Sequence, residues 1–203
     1  YKRQIMNDNL PDDEFIQFLV KAFCNMKNSL IPGGVFYIWY ASSKSLVFLK
    51  ALEQAELTMR QNLIWEKDRF TLGRQDYQWS FEPCIYSWAE CAAHKFFNDR
   101  KQSTVLHFDR PKASKLHSTM KPLPLIGYQM KNSSQENGIV LDLFGGSGTT
   151  LIASEQLNRI CHTMELDQKY ASAIVRRYVA LKGGSDADCL LYTSPSPRDG
   201  LLS

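Results

Sequence analysis

The sequence predicts an α/β fold, in which helices alternate with strands and pack against a sheet. Three observations support this fold class. Residues 12–30 and 44–57 repeat apolar side chains at helical spacing. Residues 35–40 form a short, continuous apolar run rich in aromatic residues, which is typical of a strand buried on both faces. Residues 139–143 form another strand-like run, which leads into a glycine-rich turn and then a helix.

The elements can be assigned in order along the chain. Asp12, Asp13 and Glu14 suit the first turn of a helix, and Pro32-Gly33-Gly34 ends it. Further strands are expected at 62–66, 84–88, 104–108 and 160–165, and further helices after Pro122, from about Thr149 and over 169–181. Asp167 is expected to cap the last helix. Residues 68–116 are less regular. Each of their aromatic side chains is expected in the core, and so is Trp65, which lies just before them.

Composition limits the function classes. The 203 residues are 44% hydrophobic and 22% charged, with a net charge of +3, which permits nucleic-acid binding without requiring it. No apolar run reaches the roughly 18–20 residues of a membrane span. The five cysteines form no Cys-x-x-Cys pair, which favours a reduced cytosolic setting. The spacing of Cys84, Cys91 and His94 fits no standard zinc site, so no metal is expected.

The segment from Val140 to Thr150 carries the most specific pattern. An apolar strand containing Asp142 runs into a turn with three glycines, and glycines let a ligand approach the backbone closely. A Walker phosphate loop would need a lysine after Gly148, and a dinucleotide loop would need a glycine at Leu151. S-adenosylmethionine has no pyrophosphate, so a shorter loop of this kind suffices.

Glu165 strengthens this interpretation. It ends the next expected strand, about 20 residues after the glycines, where an acid can accept hydrogen bonds from both ribose hydroxyls. An ordinary strand-to-helix turn and a surface glutamate are the structural alternatives.

Several blocks together resemble one family. Asp142–Thr150, followed by Met164-Glu165-Leu166-Asp167, resembles motifs I and II of the DNA adenine-N6/cytosine-N4 amino-methyltransferases. The block His117–Pro122 resembles their motif X, which precedes motif I in the permuted beta arrangement. Further matching blocks are Leu30–Gly34, Ile64–Lys67, Gly73–Tyr77 and Glu82-Pro83. The similarity extends over about residues 5–182.

This resemblance implies a fold and a cofactor. The fold is a Rossmann-like, doubly wound sheet of seven strands of the S-adenosylmethionine-dependent methyltransferase type. The cofactor is S-adenosyl-L-methionine, with Thr119 and Lys121 near its methionine end. The other implied cofactor-binding residues are Asp142, Phe144, Gly145, Gly146, Ser147, Gly148, Thr149 and Glu165.

The resemblance also implies a substrate and a cellular setting. Site-specific transfer to an exocyclic amine of double-stranded DNA is expected, with adenine N6 preferred over cytosine N4 and with the base flipped out of the duplex. A cytoplasmic protein of a bacterium or phage is implied, with no membrane. A cognate restriction endonuclease is an open choice of partner, and monomer and dimer are both open. The alternatives are an amino-methyltransferase for RNA or for a small molecule, and a cofactor- or DNA-binding remnant without catalysis.

Residues 68–116 are the candidate DNA-recognition region, because the family places that region there. The candidate DNA-binding residues are Arg69, Arg74, Arg100 and Lys101. Pro83-Cys84 is similar to the nucleophile of cytosine carbon-5 methyltransferases. In that family the pair follows the cofactor loop, whereas here it precedes the loop, so a cysteine nucleophile is rejected.

The family's catalytic element is Asp/Asn/Ser-Pro-Pro-aromatic, and no Pro-Pro occurs in this sequence. We expect that element upstream of an incomplete methyltransferase domain, residues 1–188, so no catalytic residue is assigned and cofactor binding without turnover is expected. Residues 189–203 resemble the translation of a sequencing adapter and are expected to be a non-native tail.

Overall fold

The structure, a computed structural model, describes residues 10–111 and 120–183. The helices are α1 (Asp12–Ser29), α2 (Ser45–Gln54), α3 (Leu123–Ser133), α4 (Thr149–Gln156) and α5 (Gln168–Lys182), and a 3-10 turn, Ser42–Lys44, precedes α2. The strands are β1 (Val35–Trp39), β2 (Gln61–Thr71), β3 (Trp79–Trp88), β4 (Val105–His107), β5 (Ile139–Asp142) and β6 (Ile160–Thr163). Within the described residues no helix has the length and apolar character needed to cross a membrane.

Four strands form one sheet in the order β1-β3-β2-β4. Strand β3 pairs antiparallel with both β1 and β2, and β2 pairs parallel with β4. Strands β1, β2 and β4 therefore run in the same direction, with their carboxyl ends at one edge. At that edge β1 stops at Trp39, opposite Cys84, whereas the β2–β3 hairpin continues for several residues beyond it.

The other two strands, β5 and β6, form a separate parallel pair, from Ile139 opposite Ile160 to Asp142 opposite Thr163. The resemblance implied one sheet of seven strands, but the described residues form six strands in two sheets. A continuous sheet would need a further strand between the two sheets, and no described residue provides one.

Helix α3 links the two sheets. Its Leu125 is fully buried in the core of the four-stranded sheet, and its Ser133 hydroxyl lies 2.7 Å from the hydroxyl of Tyr37 on β1. On the other side, the Ser154 hydroxyl of α4 donates to the Met130 sulfur of α3 at 3.6 Å. Helix α3 therefore contacts elements of both sheets.

Both faces of the strand at 35–40 are packed, as expected, but one face is buried and the other is only half-buried. Phe36 and Ile38 pack with α1 and α2, whereas Tyr37 and Trp39 pack against the cluster that includes Trp65 and Leu125. Because side chains alternate along a strand, β1 contributes to a core on each side of the sheet.

The middle of the chain is more regular than expected. The strands expected at 62–66 and 84–88 are parts of one long hairpin formed by β2 and β3. Trp65 is buried, as expected, but the expectation of a core position is wrong for four aromatic residues. Their exposed fractions are 91% for Tyr77, 56% for Phe70, 40% for Trp79 and 39% for Phe97. Phe70, Tyr77 and Trp79 lie where the hairpin extends past β1, and no other layer of the described residues covers them there.

Candidate functional site

The glycine loop lies between β5 and α4, at the carboxyl end of β5. The Gly145 N–H donates to the Met164 carbonyl at 2.7 Å, and a Cβ atom at position 145 would lie 2.6 Å from the Thr163 hydroxyl oxygen. Gly148, at φ 75°, is the N-cap of α4, a left-handed conformation that disfavours side chains. The loop therefore depends on glycine both for close packing on β6 and for the turn into α4.

The structure brings Glu165 to this loop, as the sequence predicted. One carboxylate oxygen of Glu165 accepts from the Gly146 N–H at 2.7 Å, and the other accepts from the Asp167 N–H at 2.9 Å. Each carboxylate oxygen can accept a further hydrogen bond, because it has two lone pairs. The carboxylate is thus fixed beside the glycines while keeping capacity for a ligand.

Asp142 and Phe144 define the start of the loop. The Asp142 carboxylate accepts from the Phe144 N–H at 3.0 Å, so it holds the turn that follows β5. The Phe144 side chain is 55% exposed, and its ring centroid lies 6.1 Å from that of Phe18 on α1. Phe18 lies in the helix expected over 12–30, and its helical spacing gives no sign of this contact with the loop. Phe18 also borders a concavity of about 400 Å³ with Asp13, Glu14, Gln17 and Lys21.

Ser147 and Thr149 turn their side chains into the protein. Both residues are buried, and their hydroxyl oxygens lie 3.0 Å apart. A ligand at the outer surface of the loop would therefore not meet their hydroxyls. The inner surface receives Arg177 of α5, which donates to the Ser147 carbonyl at 2.8 Å. Arg177 was not predicted as a site residue, because its spacing on an amphipathic helix gives no sign of this contact.

Lys121 lies between the glycine loop and the four-stranded sheet. Its carbonyl accepts from the Thr149 hydroxyl at 3.5 Å, while its ammonium group lies 2.8 Å from the Glu82 carboxylate and 5.5 Å from the ring centroid of Trp39. Thr119, the other residue expected near the methionine end, lies outside the described residues.

Glu82 holds a second lysine, Lys67, at 2.9 Å through its other oxygen. Burial by itself would raise the pKa of Glu82, but the ammonium groups of Lys121 and Lys67 outweigh that effect and hold the pKa below its ordinary value. This lysine–glutamate–lysine cluster marks the carboxyl edge of the four-stranded sheet. From the sequence, Glu82 was identified only as part of a block that resembles the family, and no contact with a lysine was predicted for it.

The four candidate DNA-binding residues fall into two groups. Arg69 and Arg74 are exposed on or beside the projecting hairpin, and the Arg69 guanidinium lies 2.9 Å from the Asp68 carboxylate. Arg100 and Lys101 lie in the connection from β3 to β4, which leaves the opposite, amino edge of the sheet. There Asn98 donates to Asn132 near the end of α3 at 2.9 Å. The structure therefore does not bring the four residues together.

Comparison with known proteins identifies the family. The model of a DNA methylase family, named for N6 and N4 methyltransferases, matches residues 1–176. The chain belongs to this DNA methylase family. The family expected from the sequence is therefore confirmed.

Two curated relatives match shorter stretches. The type II methyltransferase M.HinfI of Haemophilus influenzae is 38% identical over 68 residues, which cover 34% of this chain and 19% of that protein. The type II methyltransferase M2.MboI of Moraxella bovis is 39% identical over 62 residues, which cover 30% of this chain and 23% of that protein. The matched part is thus about a fifth of the length of these relatives.

Solved structures confirm the fold class. A structure titled as the M1.HpyAVI–SAM complex superposes with a TM-score of 0.70 at 23% identity, covering 83% of this chain and 85% of that one. The cytosine-N4-specific PvuII DNA methyltransferase superposes with a TM-score of 0.73 at 16% identity, covering 93% and 78%. The first of these structures is a complex with S-adenosylmethionine, the cofactor expected from the sequence.

Proposed function

We propose that this chain is the cofactor-binding part of a DNA methyltransferase that transfers a methyl group from S-adenosylmethionine to an exocyclic amine of a base. The position of Glu165 carries this proposal. Its carboxylate is bonded to Gly146 at the carboxyl ends of β5 and β6, and both of its oxygens can still accept from ribose hydroxyls. Ligands of open α/β sheets bind at this edge.

The surrounding residues suit the remaining parts of the cofactor. The exposed Phe144 ring offers a flat apolar surface beside Phe18 for the adenine. The first backbone N–H groups of α4 point towards the loop, where they can bind a carboxylate. Lys121 supplies a positive charge near the loop, although Glu82 already neutralises part of it.

In this proposal the reaction is a direct displacement. The lone pair of the amine nitrogen attacks the methyl carbon, the carbon–sulfur bond breaks, S-adenosylhomocysteine leaves, and the nitrogen loses one proton. Alignment of the two substrates provides much of the rate. In this proposal the amine is held by the family's Asp/Asn/Ser-Pro-Pro-aromatic element, which none of the 203 residues supplies. The sequence of that element in the whole protein tests the target, because Asp-Pro-Pro-Tyr supports adenine N6, which we favour, and Ser-Pro-Pro-Tyr supports cytosine N4.

Double-stranded DNA is the proposed macromolecular substrate, and the β2–β3 hairpin is the proposed contact. The hairpin projects from the edge that holds the carboxyl ends of β1 and β4, and it exposes Tyr77 and Leu72 together with Arg74. Flat and apolar side chains can pack on bases while an arginine meets a phosphate. Arg100 and Lys101 lie at the opposite edge, so they are secondary candidates in this proposal.

Calorimetric titration of the 203-residue chain with S-adenosylmethionine tests the cofactor site. We expect saturable binding, and Glu165→Ala is expected to weaken it by about tenfold or more, because hydrogen bonds to a charged group contribute about 1.5–3 kcal/mol. Glu136→Ala is a matched control, since Glu136 is an exposed glutamate just before the amino end of β5. Unchanged affinity in the Glu165 variant, or no binding by the folded wild-type chain, would refute the proposed site.

A further inference from the structure

We propose that Arg177 is a positioning residue for cofactor binding, holding the glycine loop in its binding conformation from the side that faces away from the ligand. This inference rests on the proposed function, because it assigns Arg177 a role in the affinity for S-adenosylmethionine. Arg177 itself contacts the loop and not the proposed ligand position.

The contact fixes one peptide unit of the loop at both ends. The Arg177 guanidinium donates to the Ser147 carbonyl at 2.8 Å, and the N–H of the same peptide, on Gly148, donates to the Gly145 carbonyl at 2.7 Å. Because a peptide unit is planar, these two hydrogen bonds set its orientation. They also set the direction of the chain where it enters α4.

Helix α5 supports the loop through a second side chain as well. Ile174 is buried and packs so closely that a Cβ atom at position 148 would lie 3.0 Å from it. Ile174 and Arg177 are three residues apart, so they lie on the same face of α5. One face of the helix therefore supplies both an apolar contact and a hydrogen-bond donor to the same turn.

Arg177 also reaches the segment that precedes α3. Its guanidinium lies 3.4 Å from the Thr149 hydroxyl, which lies 3.0 Å from the Ser147 hydroxyl and donates to the Lys121 carbonyl at 3.5 Å. Three parts of the proposed cofactor site, namely the loop, the start of α4 and Lys121, thus share one network. A change at Arg177 is expected to alter all three together.

The burial of Arg177 shows that this contact is specific. A half-buried guanidinium loses hydration, which lowers its pKa and is unfavourable unless hydrogen bonds compensate. Its neighbour Arg176 is exposed on α5 and carries the same charge one residue away. The chain therefore contains its own matched control for the charge and for the helix.

The test compares Arg177→Ala, Arg177→Lys and Arg176→Ala in the 203-residue chain, with Kd for S-adenosylmethionine and the free energy of unfolding in urea measured for each. We expect Arg177→Ala to raise Kd by about tenfold, equal to about 1.4 kcal/mol, and Arg176→Ala to leave it unchanged. A lysine keeps the charge but not the forked geometry, so Arg177→Lys is expected to lie between them.

Chemical rescue separates positioning from general stability. Millimolar methylguanidinium is expected to restore part of the affinity of Arg177→Ala and to leave wild type unaffected, with sodium chloride at equal ionic strength as the control. If the wild type binds and folded Arg177→Ala binds equally well, the inference is wrong while the proposed function stands. Equal losses in both arginine variants would also overturn it. No binding by folded wild type would overturn the proposed function and this inference with it.

Discussion

The two sheets of this chain are stabilised in different ways. The four-stranded sheet has side-chain cores that include Phe36 and Ile38 on one face and Trp65 and Leu125 on the other. The β5–β6 pair is short and leaves much of its apolar surface uncovered, with Ile139 72% exposed. Around β5 and β6, the loop is held instead by backbone hydrogen bonds, close glycine contacts and the Arg177 bond.

This difference explains what each region can do. A loop built from backbone groups presents N–H donors and a carboxylate at a fixed place, which suits a small polar cofactor. A sheet built on a dense aromatic core can instead support a long hairpin beyond its edge, which suits a large partner. Three variants test the comparison, beginning with the largest expected effect.

The strongest expected effect is at Glu82, in the four-stranded sheet. Replacing Glu82 with Gln leaves the ammonium groups of Lys67 and Lys121 close together and without their shared carboxylate, while their side chains are only 9% and 18% exposed. We expect urea unfolding to show a loss of about 2–3 kcal/mol, somewhat below the cost of breaking a fully buried ion pair. Glu66→Gln is the control, because Glu66 pairs with His107 at an exposed site and should cost less than about 1 kcal/mol.

The pH dependence sharpens this prediction. The folded pKa of Glu82 lies below its ordinary value of 4.5, so its stabilising contribution is complete above that pH and is lost as the pH falls through the lowered pKa. The wild-type chain is therefore expected to lose stability below about pH 4.5 more steeply than Glu82→Gln does. Parallel stability curves for the two proteins in this range would show that the ion cluster contributes nothing.

The difference between the two sheets also determines how much of each could be predicted from the sequence. The loop and Glu165 were identified because their contacts are local in the β5–α4–β6 unit and follow from residue types, and Asp167 caps α5 as expected by accepting from the Lys169 N–H. The long β2–β3 hairpin was not predicted. Strand β3 lies between β1 and β2, and Pro83 argues against such a position because proline has no N–H to donate.

The contacts of Glu82 and Arg177 were also missed, for a physical reason. Each depends on elements that lie far apart in the sequence, Glu82 with Lys121 and Arg177 with Ser147. Periodicity and motif spacing describe one element at a time, so they contain no information about such pairs. The family resemblance placed Glu82 in a block but gave it no partner.

An intermediate effect is expected in the glycine loop. Gly148→Ala places a side chain at φ 75° and 3.0 Å from Ile174, so we expect a loss of about 1–2 kcal/mol in urea unfolding. Gly127→Ala is the control, and its expected change in the free energy of unfolding has the opposite sign. Gly127 lies within α3, where a Cβ atom would make an ordinary contact with Leu157 at 3.6 Å, and alanine should stabilise the helix by about 0.5–1 kcal/mol. A neutral or stabilising Gly148→Ala would contradict the view that backbone geometry holds this region.

The smallest effect on stability is expected at the two edges of the four-stranded sheet. There the two edges are compared by their contribution to DNA binding. Arg74 and Arg100 are both exposed, so alanine at either position should change the unfolding free energy by less than about 0.5 kcal/mol.

If the hairpin contacts a phosphate, Arg74→Ala should weaken DNA binding and reduce the slope of log affinity against log salt by about one, as measured by fluorescence anisotropy at several salt concentrations. Arg100→Ala should leave that slope unchanged. The reverse result would place the DNA at the amino edge, away from the carboxyl ends of β5 and β6, and would separate DNA binding from the proposed methyl donor.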